Sequence, residues 1–330
     1  MKRLTALLLC LITLFALTAC SKDESGLRKV TLNEVTRSVF YAPLYVACSK
    51  GFFAEEGLEV DIVTGGGSDA SMTALLSGEA DVALMGPETG IYVTNQGKAD
   101  HPMIIAQLTK RDGSFLLGRE ADGSFDFSKL KGKSIIAGRP GGMPYMTLLY
   151  VLRQHGLEPG SDVEVISNIQ FNLMGGAFES GTGDYVTLFE PTATEVEQAG
   201  KGYILCSIGQ ESGEIPYTAY FANRSYLTAN AGTVQRFTNA IARAQRWVAE
   251  HTDREVAEAI CGQFPDTDLA VLERVCARHR EIDAWNLTPV MEQAALERLE
   301  TVMTTAGQLK QEEWVDFDRL VDNSFAQKAS

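Results

Sequence analysis

Between residues 30 and about 222 the sequence alternates short runs of β-branched and aromatic residues with helical stretches. The β-type runs fall at 30–36, 58–64, 80–85, 103–109, 133–137, 163–167, 185–189 and 203–208. This alternation predicts α/β architecture, in which helices cover the faces of largely parallel sheets. Several runs end at once in glycine or in a helix start: Gly65-Gly66-Gly67-Ser68-Asp69, Gly86-Pro87-Glu88 and Gly138-Arg139-Pro140-Gly141-Gly142. Ligands of open parallel sheets collect at such strand ends. Beyond residue 232 only helical periodicity remains. Val234, Phe237, Ile241 and Val248 recur at helical spacing, as do Leu269, Leu272, Val275 and Ile282, then Met291, Ala295, Leu299 and Met303. Gly262, Pro265 and Pro289 punctuate these helices, and their apolar stripes, with Trp247, Trp285 and Trp314 among them, read as packing surfaces.

Two further extended runs, 113–119 and 217–222, bracket a block of about 100 residues with its own strand-helix rhythm. The block reads as an inserted lobe. A first, discontinuous lobe of residues 29–117 plus 221–330 would then carry the C-terminal helices, with residues 118–220 as the second lobe. Two crossings make a hinge, and a hinge between two α/β lobes makes a central cleft for a small ligand. A chain of 330 residues is long enough for both lobes to bury cores. With 43 acidic against 29 basic side chains the formal charge is −14, which argues against nucleic acid as a partner, because phosphate binders cluster Lys and Arg.

Lys2 and Arg3 precede an apolar stretch over 4–17, too short to span a bilayer, and then Leu17-Thr18-Ala19-Cys20. These four residues resemble the bacterial lipobox. The resemblance implies a signal peptide over 1–19, lipidation at Cys20, a polar tether over 20–28, and a protein held at the outer side of the membrane by its acyl chains. Export permits disulfides, and Cys261 and Cys276 are the plausible pair. Separate buried thiols are the alternative for these and for Cys48 and Cys206. Cysteine and histidine spacings give no metal or redox motif, and no metal or cofactor is expected.

The motifs Tyr41-Ala-Pro-Leu-Tyr-Val-Ala47, Gly51-Phe-Phe-Ala-Glu-Glu-Gly-Leu-Glu-Val60, Ala74-Leu-Leu-Ser-Gly-Glu-Ala-Asp81 and Phe189-Glu-Pro191 carry a family resemblance. The chain resembles the extracytoplasmic solute-binding proteins of ABC importers, in the branch that binds sulfonates, nitrate and thiamine-pyrimidine precursors. That resemblance implies a type II periplasmic-binding-protein-like fold and capture without turnover. It also implies a membrane permease with its ATPase as partners, and a monomer. The same fold includes a pyrimidine synthase with a cysteine-rich motif. Residues 171–178, Phe-Asn-Leu-Met-Gly-Gly-Ala-Phe, have no cysteine, and no Ser-His-Asp set or nucleophile elbow appears elsewhere.

Within the expected cleft, Tyr41, Ser68 and Glu88 would face the ligand from one lobe, and Met143, Glu190 and Tyr217 from the other. Gly67 and Gly142 would bring free backbone N–H groups close to it. Ser68 or Asp69 would cap the following helix. Glu190, placed by the Phe-Glu-Pro match, and the aromatics Phe40, Tyr45, Tyr145, Phe189 and Tyr220 favour a pyrimidine-type heteroaromatic whose N–H donates to a carboxylate. The glycine-rich stretch 175–184 would form a turned cleft wall.

Overall fold

The computed structural model describes residues 26–329, so the signal segment, Cys20 and most of the tether lie outside the described residues. Ten strands form: β1 (Arg28–Glu34), β2 (Leu58–Thr64), β3 (Val82–Met85), β4 (Pro102–Thr109), β5 (Ser114–Gly118), β6 (Ser134–Ile136), β7 (Glu164–Ile166), β8 (Tyr185–Phe189), β9 (Tyr203–Ser207) and β10 (Thr218–Asn223). They divide into two five-stranded sheets of equivalent order, β2-β1-β3-β10-β4 and β7-β6-β8-β5-β9. In the first sheet β1 runs parallel to β2 and β3, while β10 is antiparallel to β3 and β4. The second repeats this, with β6 parallel to β7 and β8, and β5 antiparallel to β8 and β9. In each sheet the strand next to a crossing is inserted against the direction of its neighbours.

Both crossings fall a few residues earlier than the sequence pattern suggests. Ser114–Gly118 pairs along its whole length with β8, and Thr218–Asn223 pairs with β4, so the chain changes sheets within 110–113 and 213–217. A run such as Phe115-Leu116-Leu117 is buried on both faces whichever sheet holds it. Its alternation carries no information about its partners.

The helical C-terminal third rests on the first sheet. Along Ala231–Glu250, Val234, Phe237, Ile241, Ala244 and Val248 are all buried, the stripe their spacing requires. Phe237 stacks on Phe53 with ring centroids 5.2 Å apart and meets the edge of Tyr220 at 5.3 Å. Trp285 donates its indole N–H to the Phe40 carbonyl (3.0 Å), and Trp314 donates to Thr304 Oγ1 (2.9 Å), so these rings tie helices and loops together. Cys261 is exposed, Cys276 is buried, and the two remain separate thiols, as do Cys48 and Cys206. No helix among the described residues is long and apolar enough to cross a membrane.

Because Phe237 joins this helix to both the sheet and Phe53, Phe237→Ala is expected to lower unfolding stability by about 3–5 kcal/mol, measured by urea denaturation.

Candidate functional site

The C-terminal ends of the parallel strands in the two sheets face one another across a cavity of about 800 Å³. Each strand end contributes a short segment. Thr36 and Ser38 follow β1, Gly66, Gly67, Ser68 and Asp69 follow β2, and Gly86 and Glu88 follow β3. From the other sheet come Gly138, Arg139, Gly142 and Met143 after β6, Ser167 to Asn172 after β7, and Phe189 at the end of β8. Tyr217 and Thr218 close the floor at the second crossing.

Local chemistry explains these positions. The helix Ser68–Ser77 starts after Gly67, which occupies the cap position itself; neither Ser68 nor Asp69 caps it, because both already lie within the first turn. The helix Met143–Gln154 starts after Gly142, with Pro144 in its first turn, where a missing N–H leaves no bond unmade. Gly141 turns the chain into that helix at φ 79°, a conformation that favours glycine. Gly86 is required for a different reason. A Cβ there would stand 2.0 Å from Oε2 of Glu88, whose carboxylate folds back over the strand end.

One wall is aromatic. Phe40 packs against Tyr41 (5.9 Å), Phe189 (5.9 Å) and Tyr217 (5.8 Å), and Phe171 extends the row beyond Phe189 at 5.5 Å. Such tilted and edge-on rings leave apolar faces for a flat guest. His279 packs behind Phe40 at 5.4 Å, and burial pushes its pKa down to about 3, so it is a neutral part of the packing. Glu88 is buried and burial pushes its carboxyl up to about 7; the backbone N–H groups of Glu88 and Met143 and the charge of Arg139 oppose the shift. Asp112, beneath Tyr217, accepts a hydrogen bond from the Ser114 N–H (2.7 Å), and burial pushes it up to about 6.

Contacts between the two sheets' elements rim the cavity. Arg139 pairs with Asp69, and the Tyr92 hydroxyl donates to the Gly141 carbonyl (3.1 Å). Ser38 Oγ donates to the Glu190 carbonyl (2.9 Å). No group of three or more His, Cys, Asp or Glu among the described residues is arranged to hold a metal ion.

The family description NMT1/THI5 like matches residues 39–255, which takes in strands of both sheets and the cavity's lining segments other than the one after β1. The chain belongs to the NMT1/THI5-like family. The protein YtlA of Bacillus subtilis (strain 168), which carries the name of a binding protein, is 46% identical over 317 residues, covering 96% of this chain and 94% of YtlA. Two solved structures share the fold. The ligand-binding component of an ABC-type import system from Staphylococcus aureus, solved with zinc bound, is 15% identical with a TM-score of 0.74, over 92% of this chain and 99% of that one. The alkanesulfonate-binding protein SsuA from Xanthomonas axonopodis pv. citri, bound to MOPS, is 17% identical with a TM-score of 0.71, over 89% and 98%. The fold is therefore the periplasmic-binding-protein-like one.

In this NMT1/THI5-like chain, Tyr41, Gly67, Ser68, Glu88, Gly142, Met143 and Tyr217 all border the cavity. Glu190 does not. Its carboxylate turns away from the cavity and accepts from the Thr194 N–H (2.9 Å), Thr194 Oγ1 (2.9 Å) and Arg278 Nη1 (2.8 Å). Arg278, on the helix Leu269–Glu281, also reaches Glu197 at 2.7 Å. The side chain one place after a cavity-facing Phe189 points to the other side of the strand end, which the motif match alone did not reveal. Tyr217 leads into β10 of the first sheet, its N–H bonded to the Thr109 carbonyl (3.1 Å), and does not belong to the second lobe. Tyr45 and Tyr220 are core residues. The stretch 175–184 also lies off the cavity, gathered around Arg119, whose guanidinium donates to the carbonyls of Phe178, Thr182 and Gly183. Thr36, Ser38, Arg139 and the 167–172 segment were not named from sequence as ligand contacts, although all but Ser38 lie within or just after a run read as a strand or strand-end turn.

Removing Arg278 leaves a buried carboxylate without its cation, so Arg278→Ala is expected to cost about 3 kcal/mol in chemical denaturation. Adding Glu190→Gln should recover part of that loss.

Proposed function

We propose that this protein is an extracytoplasmic solute-binding lipoprotein, anchored through Cys20, that captures a small flat heteroaromatic molecule of pyrimidine type. It releases the molecule, unchanged, to an ABC permease driven by its ATPase. The observation that carries this reading is the composition of the cavity: rings of Phe40, Tyr41, Phe171, Phe189 and Tyr217 supply apolar faces, and Glu88 supplies an acceptor at the edge. Polar edges of Ser68, Ser167, Asn168 and Gln170 complete a surface suited to a ring with several hydrogen-bonding substituents.

Both sheets contribute to the wall, so a ligand touching both sides favours the closed arrangement over an open one. Only contacts absent from the open form shift that equilibrium. The name of YtlA, 46% identical over nearly the whole chain, supports binding rather than turnover.

An anion such as a sulfonate, taurine or nitrate is the competing reading, favoured by Arg139 and the start of the helix Met143–Gln154 at the cavity. Two features oppose it. Arg139 is already paired with Asp69, and an ionised Glu88 repels an anion.

Untargeted mass spectrometry of small molecules that co-purify with the full chain is expected to return a nitrogen heteroaromatic. In calorimetry Phe189→Ala should weaken binding of that molecule about tenfold, in line with the loss of a ring contact of roughly 1 kcal/mol and its buried area. Recovery of an aliphatic sulfonate or nitrate alone would overturn the heteroaromatic reading.

A further inference from the structure

Four buried carboxylates, Glu34, Glu88, Asp112 and Glu190, lie at or beside the cavity, and the chain gives two of them a cation of its own. Glu34 pairs with Arg37 Nε (2.9 Å) and accepts from the hydroxyls of Tyr45 (2.7 Å) and Thr64 (3.0 Å). Glu190 is held by Arg278 and by Thr194. Glu88 is different. It is 1% exposed, forms no ion pair with any described residue, and its Oε2 has no hydrogen-bond partner. The charged residues bordering the cavity are Asp69, Glu88 and Arg139, and the first and last pair with each other. One negative charge is left over, in a site walled by aromatic rings where an uncompensated ion is costly.

We infer that the ligand supplies the missing counter-charge: a flat ring bearing an amidinium-like group or a protonated nitrogen, whose N–H donates to the Glu88 carboxylate. This deepens the proposed function and rests on it. The geometry makes Glu88 a residue that selects between head groups of opposite charge on similar rings, because the same apolar wall accepts either ring and only the carboxylate distinguishes them.

The proposal also fixes a pH dependence. Glu88 faces Asp69 on the helix Ser68–Ser77, Arg139 ahead of the helix Met143–Gln154, Tyr92 on its own helix, Tyr41 and Tyr217. The three tyrosines are held above their ordinary range by burial and stay neutral. Asp69 and Arg139 compensate one another. Glu88 itself changes charge near neutrality, its carboxyl pushed up to about 7, and Asp112 behind Tyr217 follows at about 6. A cationic ligand binds the ionised form, so the proton competes with it. Binding is strong above the Glu88 pKa and weakens as pH falls through it, approaching tenfold per pH unit.

The test is calorimetry of the full chain with benzamidine, which stays cationic throughout, and with benzenesulfonate, the same ring with a negative head. Benzamidine is expected to bind, to lose affinity steadily from pH 8 to pH 5.5, and to release a proton on binding below pH 7, read from heats in buffers of different ionisation enthalpy. Glu88→Gln is expected to weaken benzamidine at least tenfold and to flatten the profile, with a thermal unfolding scan reporting that the variant folds. If that variant does not fold, the pH profile of the unaltered chain and the comparison of the two rings decide. Benzenesulfonate binding as tightly as benzamidine, or benzamidine binding unaffected by Glu88→Gln, overturns the inference and leaves the cleft's role in holding flat rings standing. Failure of both rings to bind overturns the inference and the heteroaromatic reading together.

Discussion

Two short extended segments, 110–113 and 213–217, hold the two sheets in register with each other, and the cleft depends on them. They are bonded to one another and to the first sheet: the Ile215 N–H donates to the Lys110 carbonyl (2.9 Å), and the Tyr217 N–H to the Thr109 carbonyl (3.1 Å). Lys110 is fixed further by the Ala284 carbonyl (2.8 Å) and by Asp283 (2.8 Å), which links the crossings to the C-terminal helices. A Cβ on Gly209 would stand 2.1 Å from the Asp112 carbonyl, so the helix Ile208–Ser212, which follows β9, approaches the first crossing at backbone contact. Strand ends of both sheets meet over one cavity because this joint is narrow and doubly threaded. So few residues join the sheets that small rotations there would suffice for the proposed opening and closing.

Charge then divides the cavity's surroundings into structural and functional parts. Glu34 with Arg37 and Glu190 with Arg278 are internal pairs with their remaining lone pairs satisfied, as buried ions must be if they are not to destabilise the fold. Arg278 and Ser38 both reach Glu190 from the other sheet's elements, so this network also ties the two sheets together. Glu88 has no such partner. Of the buried acids without a cation, Glu88 is the one that borders the ring-lined cavity, its Oε2 unpartnered, and the proposed ligand contact is placed there.

Much of this was legible in the sequence. The eight β-type runs, the two crossing runs and the all-helical end follow from periodicity, because side chains on a strand or an amphipathic helix must alternate with the face they bury. Seven of the eight residues singled out for the site border the cavity because glycine and helix starts after a strand mark where ligands collect in this kind of sheet. What failed was side-chain direction. Glu190 and the 175–184 stretch had the right composition, yet their orientation depends on distant residues, Arg278 in one case and Arg119 in the other, that no local pattern connects to them. Thr36 and the 167–172 segment obey the same strand-end rule without a run of glycines to mark them, and Arg139 lies inside a glycine-rich turn where the flanking glycines carried the emphasis.

The most direct test of the two-sided cleft is a crystal structure of the chain with the small molecule that co-purifies with it. The account predicts density for that molecule between Ser68 and Met143, against Phe189 and Tyr217, with contacts from both sheets. A molecule bound elsewhere on the surface, or touching one sheet alone, would contradict it.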